Sequence, residues 1–373
     1  MGEMMAQHQT AFYWNERCFW HGAGNFSFLL PVGGLVEPMS TGFLPEAPET
    51  KRRMKNLIDV TGLMRQLDEI ENAPSASEEQ LLAVHPKHYL DEFRRLSSEQ
   101  GGNLGLRTPF GPGGFDIASL STGLVTSALF SVLDGKHKNA YALSRPPGHH
   151  CLPDYPNGFC LLNNIGVAVR AAQTAKKAER IAIIDWDVHH GNGTEHIFYE
   201  DKNVLTISLH QERNYPLDTG DASHTGAASA PLSNMNIPLM PGGGSAVYQK
   251  AFEICVMPKL EAFNPDIVIV ACGFDASGVD PLSRMLLGAQ DFKQMTSRLM
   301  AFTSGRLVMA HEGGYSEAHV PFCGHAVLEA LSQSDIHAED PLQTRISGQQ
   351  PDPAFDALEE QRLRQIASLH QLV

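Results

Sequence analysis

A chain of 373 residues that is 42% hydrophobic can bury a large core, so it is neither a disordered segment nor a small disulfide scaffold. Its 28 basic and 42 acidic residues give a formal charge of −14, which argues against a nucleic-acid or other polyphosphate partner. A cationic substrate is electrostatically easier.

Met1–Thr10 lacks a basic stretch followed by an apolar one, so no secretory leader is expected. Phe12–Trp14 reads as a first strand, and Asn25–Glu49, rich in Gly and Pro, as loop. Met54, Leu57, Ile58, Leu63, Met64 and Leu67 fall near one face and predict a helix over Lys51–Glu69. Ser97–Gly114 holds six glycines and two prolines and reads as a long surface loop. The clearest helix spans Ile117–Asp134, with Leu124, Val125, Ala128, Leu129, Val132 and Leu133 in register and Gly135 just past its end. Strand-like runs then appear at Ala140–Leu143, Ile181–Trp186, Val204–Leu209, Ile267–Ala271 and Leu307–Ala310. Helical patterns lie between most of them, at Ile165–Lys177, Ala246–Val256 and Phe292–Thr303, with Pro258 expected to end or kink the second. The runs are apolar at successive positions, as in parallel strands covered on both faces. Strand–helix alternation predicts an α/β fold. No linker divides the chain, so residues 1–373 read as one domain. No apolar run of about 18 residues is evident, and no membrane span is expected. The cysteines form no C-x-x-C pair and several sit in apolar runs, which suggests reduced thiols in a cytoplasmic protein.

Polar residues gather where the strands end. Ala140–Leu143 runs into Ser144-Arg145-Pro146-Pro147-Gly148-His149-His150. Ile181–Trp186 runs into Asp187-Val188-His189-His190, and Val204–Leu209 into His210. Ile267–Ala271 runs into Cys272-Gly273-Phe274-Asp275, and Leu307–Ala310 into His311-Glu312-Gly313-Gly314-Tyr315. One such end is an ordinary hydrogen-bonded turn; five together point to a site, since ligands of open α/β sheets bind outside the carboxyl ends of the strands. In a chain leaving a strand, i and i+2 point the same way, so Asp187 and His189 can grip one ion. Asp275 offers a third ligand, leaving an open position of the kind a catalytic metal needs. A lone Asp-x-His is more often a structural pair; Asp275 and the His149-His150 pair reverse that balance. Adjacent histidines framed by Pro146, Pro147 and Gly148 suit a general base and a general acid. Tyr315 can donate to a developing oxyanion, although a tyrosine alone is more often packing. Asp185 could orient an imidazole or simply serve a turn. Two tempting motifs fail: Gly191-Asn192-Gly193 is followed by His196 where a dinucleotide loop needs Gly, and Pro241–Ser245 lacks the Lys of a phosphate loop.

These strings resemble the zinc-dependent histone deacetylase superfamily and, within it, the bacterial class II-like histone deacetylase-like amidohydrolases. The matching stretches are Arg145–His150, Gly158-Phe159-Cys160, Asp185–Thr194, Gly273–Ala276 and Glu312–Tyr315, and the similarity runs from about Phe12 to beyond Cys323. The resemblance implies a single-domain, mainly parallel, eight-stranded sheet flanked by helices. It implies zinc on Asp187, His189 and Asp275, active-site histidines at His149 and His150, and an oxyanion donor at Tyr315. Asp185 would support His149, and Asn192 would support His150. Gly158, Phe159, Tyr215 and Leu282 would line an acyl-lysine tunnel; Tyr215 departs from a Phe of close relatives. Structural potassium is implied at Asp185, Asp187, His189, Ser208 and Leu209, and at Phe198, Asp201 and Val204. Family members often carry an acidic rim residue, but Gly101–Gly114 has none; Asn103, Glu99 or Asp116 would have to stand in.

The activity so implied is removal of an acyl group from the ε-amine of lysine by metal-activated water, with Fe(II) or Co(II) as other metals that suit the ligand set. An acetylpolyamine deacetylase is the alternative. An arginase-type hydrolase ranks lower, because its Asp-x-His-x-Asp order is not that of Asp185-x-Asp187-x-His189. An inactive acyl-lysine binder would have lost Tyr315 or a ligand. The resemblance further implies a homo-oligomer, a dimer or a tetramer.

Overall fold

The structure is a computed structural model that describes residues 9–27, 29–39 and 44–372. The first eight residues, read above for a leader, lie outside it, as do residues 28 and 40–43 of the first loop.

Eight strands form one sheet: β1 (Thr10–Tyr13), β2 (Asp68–Ile70), β3 (Asn139–Ala142), β4 (Ile181–Asp185), β5 (Val204–Gln211), β6 (Asn234–Leu239), β7 (Ile267–Cys272) and β8 (Leu307–His311). Their spatial order is β6-β5-β4-β7-β8-β3-β1-β2, and every neighbouring pair is parallel. The runs of successive apolar residues have the expected cause. β3, β4, β5, β7 and β8 are buried at every position, because helices cover both faces. From β4 the chain moves outward to β5 and β6, then returns to place β7 on the other side of β4. The β4–β7 boundary is therefore a topological switch point, where diverging connections open a crevice at the carboxyl ends.

Helix Gly114–Leu133 packs on β3, β1 and β8 and against helix Asn164–Thr174. By length and composition it could cross a membrane, against the expectation that no such stretch exists. Its most apolar window is 72% buried inside the protein, as befits a core helix. Gly135 follows with φ 70°, as its place past the helix end required. Helix Ala289–Phe302 packs against Val320–Ser332, which also meets Glu49–Thr61. All six cysteines are buried free thiols.

Two readings change and one is refined. The helix predicted over Lys51–Glu69 stops at Thr61; a short 3-10 turn follows, and Asp68–Ile70 becomes edge strand β2. The break expected at Pro258 gains detail: a π-helical turn, Phe252–Val256, interrupts the α-helical pattern just before it, and Pro258 lies in the first turn of the next α-helix, Met257–Phe263, where no N–H is needed. Ser97–Gly114 is not structureless, since Gly102–Asn103 and Pro109–Phe110 pair as a short hairpin.

Candidate active site

Asp187 and His189 leave the end of β4, and Asp275 leaves the end of neighbouring β7. His189 Nδ1 lies 3.1 Å from Asp187 Oδ1 and 3.0 Å from Asp275 Oδ2. One ligand atom from each residue lies within 4.8 Å of the others, and all three residues are buried. Main-chain donors aim the carboxylates: Gly313 N–H donates to Asp187 Oδ2 at 2.8 Å, and Val188 N–H to Asp275 Oδ1 at 2.8 Å. The absence of a side chain at Gly313 keeps the centre open. A Cβ there would stand 2.3 Å from Asp275 Oδ2, 2.6 Å from Asp187 Oδ2 and 3.0 Å from the Tyr315 hydroxyl. Two carboxylates, an imidazole and a phenol thus converge on one small space. The donor set and this cradle fit a divalent metal with an open coordination position.

The two histidines stand side by side, ring centroids 3.9 Å apart, with different partners. His149 Nδ1 lies 2.9 Å from Asp185 Oδ2, and His150 Nδ1 lies 2.8 Å from Asn192 Oδ1. Burial alone would lower the pKa of His149, but Asp187 and Asp185 outweigh it and push the group well above the ordinary imidazole range. His150 goes the other way, well below that range, through burial and then the neighbouring His149 and His189. Burial, then Asp275 and Asp187, raise the Tyr315 phenol far above its usual value, so it stays a proton donor.

A cavity of about 560 Å³ leads to this centre. His150, Gly158, Phe159, His189, Tyr215, Leu282 and Tyr315 all line it, so the tunnel residues expected from sequence meet in one place. Phe159 holds φ 68°, a region that bulky side chains rarely enter and that functional sites tend to keep. Gly158 has to be glycine: a Cβ there would fall 2.4 Å from the His150 ring and 2.9 Å from Tyr215. The Tyr215 hydroxyl is bonded to the Asn157 side chain.

Other expected residues lie elsewhere. Asn103 spends its carbonyl inside the hairpin, accepting from the Thr108 N–H at 3.2 Å and its hydroxyl at 2.9 Å. Glu99 pairs with Arg95, and neither Glu99 nor Asp116 lines the cavity. None of the three lines the cavity; among the described residues its charged lining side chains, histidines apart, are Arg107 and Asp218. Ser208 pairs with Asp185 in register and holds His210 Nδ1 at 2.9 Å, with Leu209 next on β5. The Phe198 carbonyl accepts from Asp201 N–H and the Asp201 carbonyl from Val204 N–H, while the Asp201 carboxylate pairs with Arg170 at 2.5 Å.

Sequence reasoning missed two supports. Glu312 Oε2 accepts the N–H groups of Gly148 at 2.7 Å and His149 at 3.1 Å, fixing the histidine turn. Asp280 accepts from Tyr315 N–H at 2.8 Å and Leu282 N–H at 2.9 Å, tying two cavity walls together. Glu312 carried a signal, a carboxylate at an apolar strand end; Asp280 carried none.

Comparisons with known proteins agree with this geometry. Residues 44–331 match the histone deacetylase domain. The chain is 50% identical over 364 residues to a histone deacetylase-like amidohydrolase of Pseudomonas aeruginosa, covering 96% of each. It is 37% identical over 268 residues to a probable deacetylase of Archaeoglobus fulgidus, covering 70% of this chain and 74% of that one. Among solved structures, the HDA15 HD domain superposes with a TM-score of 0.80 at 31% identity, over 95% of this chain and 99% of the other. With its parallel sheet, its carboxylate–imidazole centre and these relatives together, the chain belongs to the histone deacetylase family.

Proposed function

We propose that this amidohydrolase is a zinc-dependent deacylase acting on the ε-amide of acyl-lysine. The observation that carries the reading is the convergence of Asp187, His189, Asp275 and the Tyr315 hydroxyl at the inner end of a cavity walled by Phe159 and Tyr215. Asp187, His189 and Asp275 would hold the zinc. When bound, the ion supplies Lewis acidity toward the amide carbonyl and toward water. The chain's own residues do the rest. His150, held low by its surroundings and oriented by Asn192, takes the proton from the attacking water. Tyr315 donates to the oxygen on which charge develops. His149, held positive by Asp185 and Asp187, stabilises that charge electrostatically. A histidine of the pair returns a proton to the leaving amine. Phe159 and Tyr215 clasp the aliphatic stem of the lysine and exclude water.

The test compares an acetyl-lysine peptide with acetylputrescine on the purified protein, before and after treatment with a chelator. Peptide turnover that is lost on metal removal and restored by Zn²⁺ supports the reading. Turnover of acetylputrescine alone, or full activity in verified metal-free protein, overturns it. His150→Ala should remove nearly all hydrolysis while zinc stays bound, and His149→Ala should cost less. The reverse ranking would contradict this division of labour.

A further inference from the structure

At the cavity mouth one cation takes no part in the hydrolysis. Arg107 lies between the two strands of the Gly102–Asn103 and Pro109–Phe110 hairpin and lines the cavity with Phe159, Tyr215, Asp218 and Leu282. Its backbone is left-handed, with φ 60°, which a residue with a Cβ keeps only where its surroundings hold it. Two main-chain bonds do so. The Leu106 carbonyl accepts from Gly158 N–H at 3.0 Å, and the Arg107 carbonyl accepts from Phe159 N–H at 3.1 Å. Pinned to one wall by its backbone, Arg107 reaches the other with its side chain: the guanidinium lies 5.3 Å from the centroid of the Tyr215 ring. The residue is exposed, and no carboxylate among the described residues pairs with it.

A guanidinium that is placed but unpaired offers a planar fork to a carboxylate. The other charge on the rim is Asp218, also exposed. One cation and one anion suit a substrate that carries both signs, as a peptide does. An acylated diamine offers only positive charge, and Arg107 repels it.

We propose that Arg107 is a specificity-determining residue that reads a carboxylate beside the acyl-lysine and disfavours acylated polyamines. This rests on the lysine-deacylase reading and names its preferred substrate class, acyl-lysine in acidic sequence.

The experiment uses three acetyl-lysine peptides that differ only in the preceding residue, Asp, Ala or Lys, together with acetylputrescine. In the parent protein kcat/KM should fall from Asp to Ala to Lys by about two- to five-fold per step, the range of an exposed ion pair. The differences should sit in KM and shrink as salt is raised. Arg107→Gln should flatten the order. Arg107→Glu should reverse it and raise acetylputrescine relative to the Ala peptide. An order in the parent that is absent, inverted or insensitive to salt overturns the proposal, as does one that survives in Arg107→Glu. The salt series needs no variant, so it decides even if both variants fail to fold. If the Ala peptide is cleaved without any charge order, only the role of Arg107 falls. If no peptide is cleaved while acetylputrescine is, the lysine reading falls and takes this proposal with it.

Discussion

Around Arg145, the one buried carboxylate is matched by cations: Glu46 Oε1 faces Lys51 Nζ and Arg145 Nε, each at 3.0 Å, and the Arg145 guanidinium also donates to the carbonyls of Cys18, Phe19, His21 and Glu46. Around Asp187 the carboxylates outnumber the cations. Asp185, Asp187, Asp275, Asp280 and Glu312 are all buried, and the imidazoles beside them that are pushed toward the cationic form are His149 and His189. The consequences differ. Glu46 is held far below the usual carboxylate range: burial opposes this, but Arg145 and Lys51 prevail. Burial pushes Glu312 up to about 7 and Asp280 up to about 7, and burial with Asp187 pushes Asp275 up to about 6. Among the described residues, Glu312 Oε1 has no hydrogen-bond partner. A carboxylate matched by buried cations needs no further ion. A cluster with surplus negative charge is costly to bury and asks for a cation.

Removing the shared anion is the most severe way to break the first cluster. Glu46→Gln would leave Lys51 and Arg145 buried without compensation and should cost about 3–5 kcal/mol of stability. Chemical denaturation measures it; a loss under about 1 kcal/mol would mean that Glu46 does not hold the two cations together as described.

In the other cluster, the corresponding change should spare the fold and strike the reaction. Tyr315→Phe should lower kcat by about 10²–10³-fold, the usual cost of one lost oxyanion donor, with KM and unfolding midpoint little changed. An unchanged kcat would make Tyr315 a packing residue.

Stability against pH gives the smallest effect and the sharpest contrast, because the sign reverses. Glu329, bonded to His325, Lys293 and His337, is lowered to about 2 although burial opposes this. Its contribution is present above the ordinary carboxylate pKa and is lost as pH falls toward about 2. Glu312 is raised to about 7 by burial, so its contribution is present below its unfolded pKa and is lost as pH rises toward about 7. In chelator-treated protein, Glu329→Gln should remove the acid-side loss and Glu312→Gln the neutral-side loss. Matching profiles for the two variants would contradict the contrast.

How much of this was legible in the sequence follows the same divide. Five strand runs and their polar ends could be read because burial on both faces leaves a continuous apolar record. The spacing of Asp187 and His189 shows a shared direction, but their meeting with Asp275, 86 positions from His189, depends on β4 and β7 being neighbours, which no local pattern encodes. The edge strands were missed for opposite reasons. β2 is short and polar, so the helical period ran through it. In β6, Asn234, Asn236 and Pro238 alternate with Met235, Ile237 and Leu239, an edge pattern rather than an apolar run. Asp280 acts through main-chain N–H groups, one of them 35 residues away, and so leaves no mark in composition. Arg107 lies in a stretch that reads as loop, and only the cavity gives its charge a meaning.

The surplus negative charge at Asp187, Asp275 and their neighbours is the central claim, and its direct test is metal content. Elemental analysis of the purified protein and of Asp187→Ala, both confirmed as folded by circular dichroism, should find one zinc per chain in the first and none in the second. Stoichiometric zinc in Asp187→Ala, or a fully active parent protein without metal, would contradict it.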